Sequence, residues 1–94
     1  MDHELVAKRM AELGHSTRLA VFRLLVKAGK EGMPVGEVQQ RLDIAGPTLS
    51  HHLRRLMSAG LIRQQRDGRT LYCIAELEAL REVMAFFEAE CCTL

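Results

Sequence analysis

Between Ala45 and Ile62, Leu49, Leu53 and Leu56 fall at i, i+4 and i+7, with Met57 beside the last, so one helix face is apolar. Thr48, Ser50, His51, Arg54 and Arg55 occupy the opposite face. Pro47 sits in the first turn, where its missing N–H costs nothing, and Gly60 marks the stop. These features predict a helix over about residues 46–59. Directly after it, LIRQQRDGRTLYCI alternates apolar and polar positions on both sides of Asp67-Gly68, which predicts a hairpin over about residues 61–75.

Upstream, Leu5, Val6, Met10 and Leu13 lie roughly on one side of a helix from His3 to Leu13. Ser16 is placed to cap a second helix, Thr17 to about Ala28, which Gly29 ends. Leu19, Val21, Phe22, Leu24, Leu25 and Val26 nearly surround that helix, the pattern of a central core element. Lys30-Glu31-Gly32 reads as loop, and Pro34 as the start of a third helix, Val35 to Leu42, with Val38 and Leu42 inward. Gly36 weakens it by about 1 kcal/mol relative to Ala, which predicts a packing reason for the glycine. Asp43 to Gly46 forms the turn into the helix described first. A last helix, about residues 76–91, carries a stripe of Leu77, Leu80, Val83, Met84, Phe86 and Phe87. That stripe either completes the monomer core or is buried against a second copy. A chain this small has little interior to offer, which favours the second copy.

The pattern is mostly α with a small β-hairpin, in the order α-α-α-α-β-β-α, within a single domain spanning residues 1–94. The net charge of +1 argues for no particular partner, but its distribution does. From Arg54 to Arg69 there are five arginines and one acid; from Glu76 to Glu90 there are five glutamates and one arginine. Hydroxyls and an imidazole in the first turns of a short helix, with arginines further along, suit a DNA major groove. The bland alternative is a solvated basic face. A hairpin bearing Arg63, Arg66 and Arg69, with the last two beside the turn, moves the balance toward a winged helix-turn-helix. No apolar run is long enough to span a bilayer, Met1-Asp2-His3-Glu4 opens no signal peptide, and three cysteines make no secreted framework. These observations set the expectation of a cytoplasmic protein.

LGHSTRLAVFRLL (13–25), TLSHHLRRLMSAGLI (48–62) and RDGRTLYCI (66–74) resemble, in the same order, the blocks of the ArsR/SmtB family of bacterial metal- and metalloid-responsive repressors. The likeness covers about Leu13 to Cys92. It implies a winged helix-turn-helix homodimer, paired through the first and last helices, on a double-stranded DNA operator, and no enzyme. No cofactor is required. DNA-contacting positions are then Thr48, Ser50, His51, Arg54, Arg55, Arg66 and Arg69. The sequence departs from the family at Ala45-Gly46-Pro47, where members often carry Ser and Gln. The family's zinc site on the last helix and its thiol site on the third helix are absent, because those helices lack the histidines and cysteines.

Cys73, between Tyr72 and Ile74, fits a small buried hydrophobe. Cys91 and Cys92 differ, since two adjacent thiols at a helix end chelate soft thiophilic species. Their α-carbons lie about 3.8 Å apart, short of the roughly 4.4–6.8 Å usual for a disulfide. One arsenic-responsive branch of the family ends its last helix in a similar pair followed by a third cysteine, which this sequence lacks. Within one subunit Cys73 lies too far to serve, because about fifteen helical residues span roughly 20 Å; across a dimer it could reach, though nothing in the sequence points to that. The expected inducer is As(III) or Sb(III) at Cys91 and Cys92, and the alternative is an oxidant or reactive sulfur at the same thiols. A thiol enzyme is disfavoured, as no C-x-x-C spacing or neighbouring histidine is present. A winged helix for protein contact alone is disfavoured by the arginine-bearing wing.

Overall fold

The computed structural model describes residues 1–94. Its helices are α1 (His3–Leu13), α2 (Ser16–Ala28), α3 (Val35–Leu42), α4 (Gly46–Ser58) and α5 (Leu77–Glu90). A 3-10 turn, Gly29–Glu31, leads into strand β1 (Met33–Pro34), and β2 (Ile62–Asp67) and β3 (Thr70–Ala75) lie between α4 and α5.

The hairpin pairs Ile62 with Ala75 through Asp67 with Thr70, so its turn is Gly68-Arg69, one residue later than the Asp67-Gly68 expected. Gly68 takes φ +62°, the left-handed value that a two-residue loop requires at its first position. The sheet has a third strand that periodicity did not predict. Met33 pairs with Cys73 and Pro34 with Tyr72, giving the order β1-β3-β2. Two residues are too few to display a period. What permits the pairing is Gly32, at φ +70°, where a Cβ would lie 2.4 Å from the Cys73 carbonyl oxygen. Pro34 tolerates this place because the strand is at the sheet edge.

The core joins Val21, Phe22 and Leu25 of α2, Val38 of α3, and Leu49, Leu53 and Leu56 of α4 to Leu61, Ile62, Cys73 and Ala75 of the wing. The second helix is central, as expected, although Leu19 stays 41 % exposed. Gly60, at φ +71°, lets the Leu61 N–H reach back to the Leu56 carbonyl at 3.0 Å and closes the end of α4.

Three expectations fail locally. The cap of α2 is His15, whose Nδ1 accepts from the Thr17 N–H at 3.2 Å; Ser16 is already in the helix. A Cβ on Gly36 would meet nothing within 4 Å, so no packing reason exists for that glycine. On α1 the buried residues are Val6, Arg9 and Glu12, while Met10 is 48 % exposed. That helix docks through a polar face because α2, α4 and α5 present it with partners for charge, described below.

Candidate nucleic-acid interface

Helix α4 divides along its length. Leu49, His52, Leu53 and Leu56 are buried, and Thr48, Ser50, His51 and Arg54 face solvent. Of the adjacent histidines, His51 is therefore the one presented outward. On the wing, Gln64 and Leu71 join Ser50, Leu53 and Arg54 around a cleft of about 220 Å³ between α4 and the hairpin. Arg66 pairs with Leu71, and both Arg66 and Arg69 are exposed. Arg63 points elsewhere, holding Glu76 at 2.7 Å.

Arg55 is differently placed from the other residues singled out. Its Nε donates to Glu12 Oε2 at 2.7 Å and its Nη2 to Glu12 Oε1 at 3.0 Å, a bidentate pair. Glu12 is only 3 % exposed, and the Arg18 Nη2 lies 3.6 Å from its Oε1. The Arg18 Nε donates to the Glu12 backbone carbonyl at 2.9 Å. Hydrogen bonding to Arg55, with the nearby charges of Arg55, Arg18 and Lys8, holds the Glu12 carboxyl below the usual carboxylate value, against the opposing effect of burial.

Arg18 also reaches His52, Nη1 to Nδ1 at 3.4 Å. A guanidinium has no acceptor, so His52 Nδ1 must accept. Burial first, then the charges of His15, Arg18 and His51, push His52 below the ordinary histidine value and keep it neutral. Helix α4 thus rests on a buried ionic floor made by α1 and α2. Sequence reasoning missed this floor. The available signal was that Glu12 and Arg9 share a helical face with Val6, three residues apart, where apolar residues were expected.

Cys73 is fully buried, and its thiol is pushed up by burial, partly offset by the Gln64 Nε2 at 3.6 Å. Cys91 and Cys92 lie just past α5, exposed and free, with their sulfurs 2.8 Å apart. The hydrogen bond that Cys91 shares with Cys92 holds its thiol protonated and raises it above the ordinary cysteine value. No third His, Cys, Asp or Glu joins them in a metal-binding group. No helix is long and apolar enough to cross a membrane.

Four helices leading into an antiparallel hairpin, with a fifth helix behind, define a winged helix-turn-helix protein. Residues 13–65 match a family model described as a helix-turn-helix domain. The HTH-type transcriptional regulator YceK of Bacillus subtilis is 37% identical over 71 residues, 76% of this chain and 70% of that protein. The biofilm growth-associated repressor of Agrobacterium fabrum is 33% identical over 87 residues, 92% of this chain and 72% of that one. The crystal structure of the ArsR family transcriptional regulator RHA00566 matches with a TM-score of 0.79 at 27% identity, over 96% of this chain and 90% of the other. The chain belongs to the ArsR family of winged helix-turn-helix transcriptional regulators, DNA-binding proteins and not enzymes.

Proposed function

We propose that the protein is a cytoplasmic, homodimeric repressor, released from its double-stranded DNA operator when trivalent arsenic or antimony binds Cys91 and Cys92. The observation that carries this reading is the pair of free, exposed thiols in contact at the end of α5. Arsenite, as As(OH)3, can exchange two hydroxyl groups for the sulfurs of the two thiols. Two S–H and two As–O bonds break, two As–S bonds form, and each thiol proton leaves with a hydroxyl as water, with no change of oxidation state. Thr48, Ser50 and His51 address base edges, and Arg54, Arg66 and Arg69 address phosphate. Arg55, engaged with Glu12, serves mainly to hold α4 in place.

In a titration of the operator complex under reducing conditions, arsenite is expected to release DNA at about one equivalent per thiol pair. Coupling of this kind is typically about 5- to 150-fold in affinity. The double variant Cys91→Ser, Cys92→Ser should stay bound, and Cys73→Ser should behave like the parent. Release by zinc alone would place the effector site elsewhere.

The contact between the two sulfurs also favours a second reading, oxidation of the pair by peroxide or reactive sulfur. The α-carbon spacing makes any such bridge strained, hence readily reduced, as a reversible switch requires. Release by peroxide but not by arsenite would select it.

The DNA face has its own test. Arg66→Ala or Arg69→Ala should weaken operator and random DNA alike. Each lost phosphate contact should flatten the log K against log salt slope by about 1, hence about 2 per dimer. Thr48→Ala should cost roughly 1–3 kcal/mol on the operator and little on random DNA. An unchanged salt slope in the arginine variants would remove the wing from the interface.

A further inference from the structure

We infer that α1 is the strut through which the position of α5 sets the attitude of α4, and that Arg9 is its positioning residue. The inference rests on the proposed thiol site only for what moves α5; the mechanical connection is independent of it.

The guanidinium of Arg9 is buried between the two helices in question. Its Nε donates to the Ala59 carbonyl, the C-cap of α4, at 2.9 Å. Its Nη1 reaches the Ala79 carbonyl in the first turn of α5 at 3.4 Å and lies 3.7 Å from Glu82 Oε2. A Cβ on Gly60 would stand 3.3 Å from its Nη2, so the plane also lies close over the backbone that closes α4. One turn further along α1, Glu12 grips Arg55 of α4. Val6 is the one apolar side chain of α1 that is buried. Helix α1 is therefore joined to α4 at two points and to α5 at one, chiefly by directional polar bonds.

That difference has a mechanical consequence. Apolar contacts slide with little angular preference, whereas hydrogen bonds weaken steeply when misaligned. A guanidinium is a planar, rigid fork, so the two carbonyls it holds cannot separate or tilt independently. If α5 rotates, the Ala79 carbonyl moves, and Arg9 must either release it or carry the end of α4 along. Cys91 and Cys92 sit at the opposite end of α5 from Ala79, which makes the helix a lever with its effector at one end and Arg9 at the other.

The test uses the full-length dimer with Arg9→Lys, Arg9→Met and Glu82→Gln. A lysine keeps the charge but cannot hold two carbonyls in fixed geometry, and Glu82→Gln loosens only the half-exposed α5 side. Circular dichroism and sedimentation confirm that each variant folds and dimerises. Two quantities are read in each. The first is the factor by which arsenite, its binding measured directly on the protein, weakens operator affinity. It should fall toward 1 in Arg9→Lys and Arg9→Met and partly in Glu82→Gln, with arsenite binding unchanged. The second is amide hydrogen exchange of residues 79–83 with and without operator. Operator should slow this exchange in the parent and have no such effect in the Arg9 variants. An unaltered arsenite factor in both Arg9 variants overturns the inference. If arsenite does not release the parent from DNA, the thiol reading fails while the exchange measurement still decides the strut. No operator-dependent change in the parent's α5, or an equal change in the Arg9 variants, overturns it.

Discussion

A Phe87→Glu variant is expected to sediment as a monomer and to bind its operator about 100- to 10,000-fold more weakly than the parent, while keeping its helical content. Met84 and Phe87 are 61 % and 52 % exposed, and with Leu80 they form an i, i+4, i+7 stripe along α5. Leu80 continues into a cleft of about 320 Å³ lined by Leu13, Leu19, Phe22 and Val26, with Arg23 and Lys27 also at its wall. One copy buries only Ala79 and Val83 from this helix and partly covers Leu77 and Leu80, so Met84 and Phe87 are left outside the core of one copy. In the proposed homodimer this stripe is the seam, and burying a carboxylate there without a partner is prohibitive, so the seam would open. A monomer then reads one half-site, and the avidity from tethering two reading heads, about 10²–10⁴, is lost. Because position 87 is exposed in the single copy, the monomer fold should survive the change. Sedimentation velocity, with operator titration on the same samples, is the check. A dimeric Phe87→Glu with parental affinity would mean that the stripe serves another purpose.

The elements that periodicity found are those whose burial is decided locally. Leu49, Leu53 and Leu56 fall on one side of α4 whatever packs there, so the solvent side, with Thr48, Ser50, His51 and Arg54, follows from the same spacing. The hairpin likewise announces itself by alternation, but alternation cannot separate Asp67-Gly68 from Gly68-Arg69 as the turn. Only the pairing of Asp67 with Thr70 does. The Met33–Pro34 strand depends on a close approach to the Cys73 carbonyl, a contact forty residues away in the chain.

The ionic floor was hidden for a related reason. Arg55 lies on the polar face of α4 by periodicity, where phosphate and Glu12 are equally suitable partners. Nothing near Arg55 in sequence says that a carboxylate of α1 waits beneath it. Arg9, Glu12 and Arg18 read as solvated charges in a helical pattern, and only the assembled α1, α2 and α4 surround them. Charge pairing at a separation of 43 residues has no period. The histidine pair was half legible, since neighbours about 100° apart cannot both face outward; that His52 would be the inner one follows from its meeting Arg18 and His15.

Glu12→Gln is expected to lower unfolding stability at neutral pH by about 3 kcal/mol, the lower end for breaking a buried ion pair. The lower end applies because Arg55 can turn to water, whereas Arg18, buried between α1 and His52, cannot. At about 4–8 °C per kcal/mol for a domain of this size, the melting temperature should fall by roughly 12–24 °C at fixed protein concentration. The pH dependence separates this from a mere loss of packing. Glu12 has its folded pKa depressed, so its contribution is complete above the unfolded value and is lost as pH falls through the folded one. His52 is also depressed, so its share begins to be lost as pH falls below the ordinary histidine value. The parent should therefore lose stability toward acid in two stages, the first from His52 below about pH 6.5 and the second from Glu12 below about pH 4. Glu12→Gln should keep the first stage and lack the second. Urea unfolding from neutral pH down to about pH 3 reads both, from midpoints at constant m. The gap between parent and variant should close through the lowest part of that range, because protonation there removes from the parent the same charge that the substitution removed. A gap that stayed constant down to the lowest pH would show that the carboxylate's charge contributes nothing and that the glutamine merely packs badly.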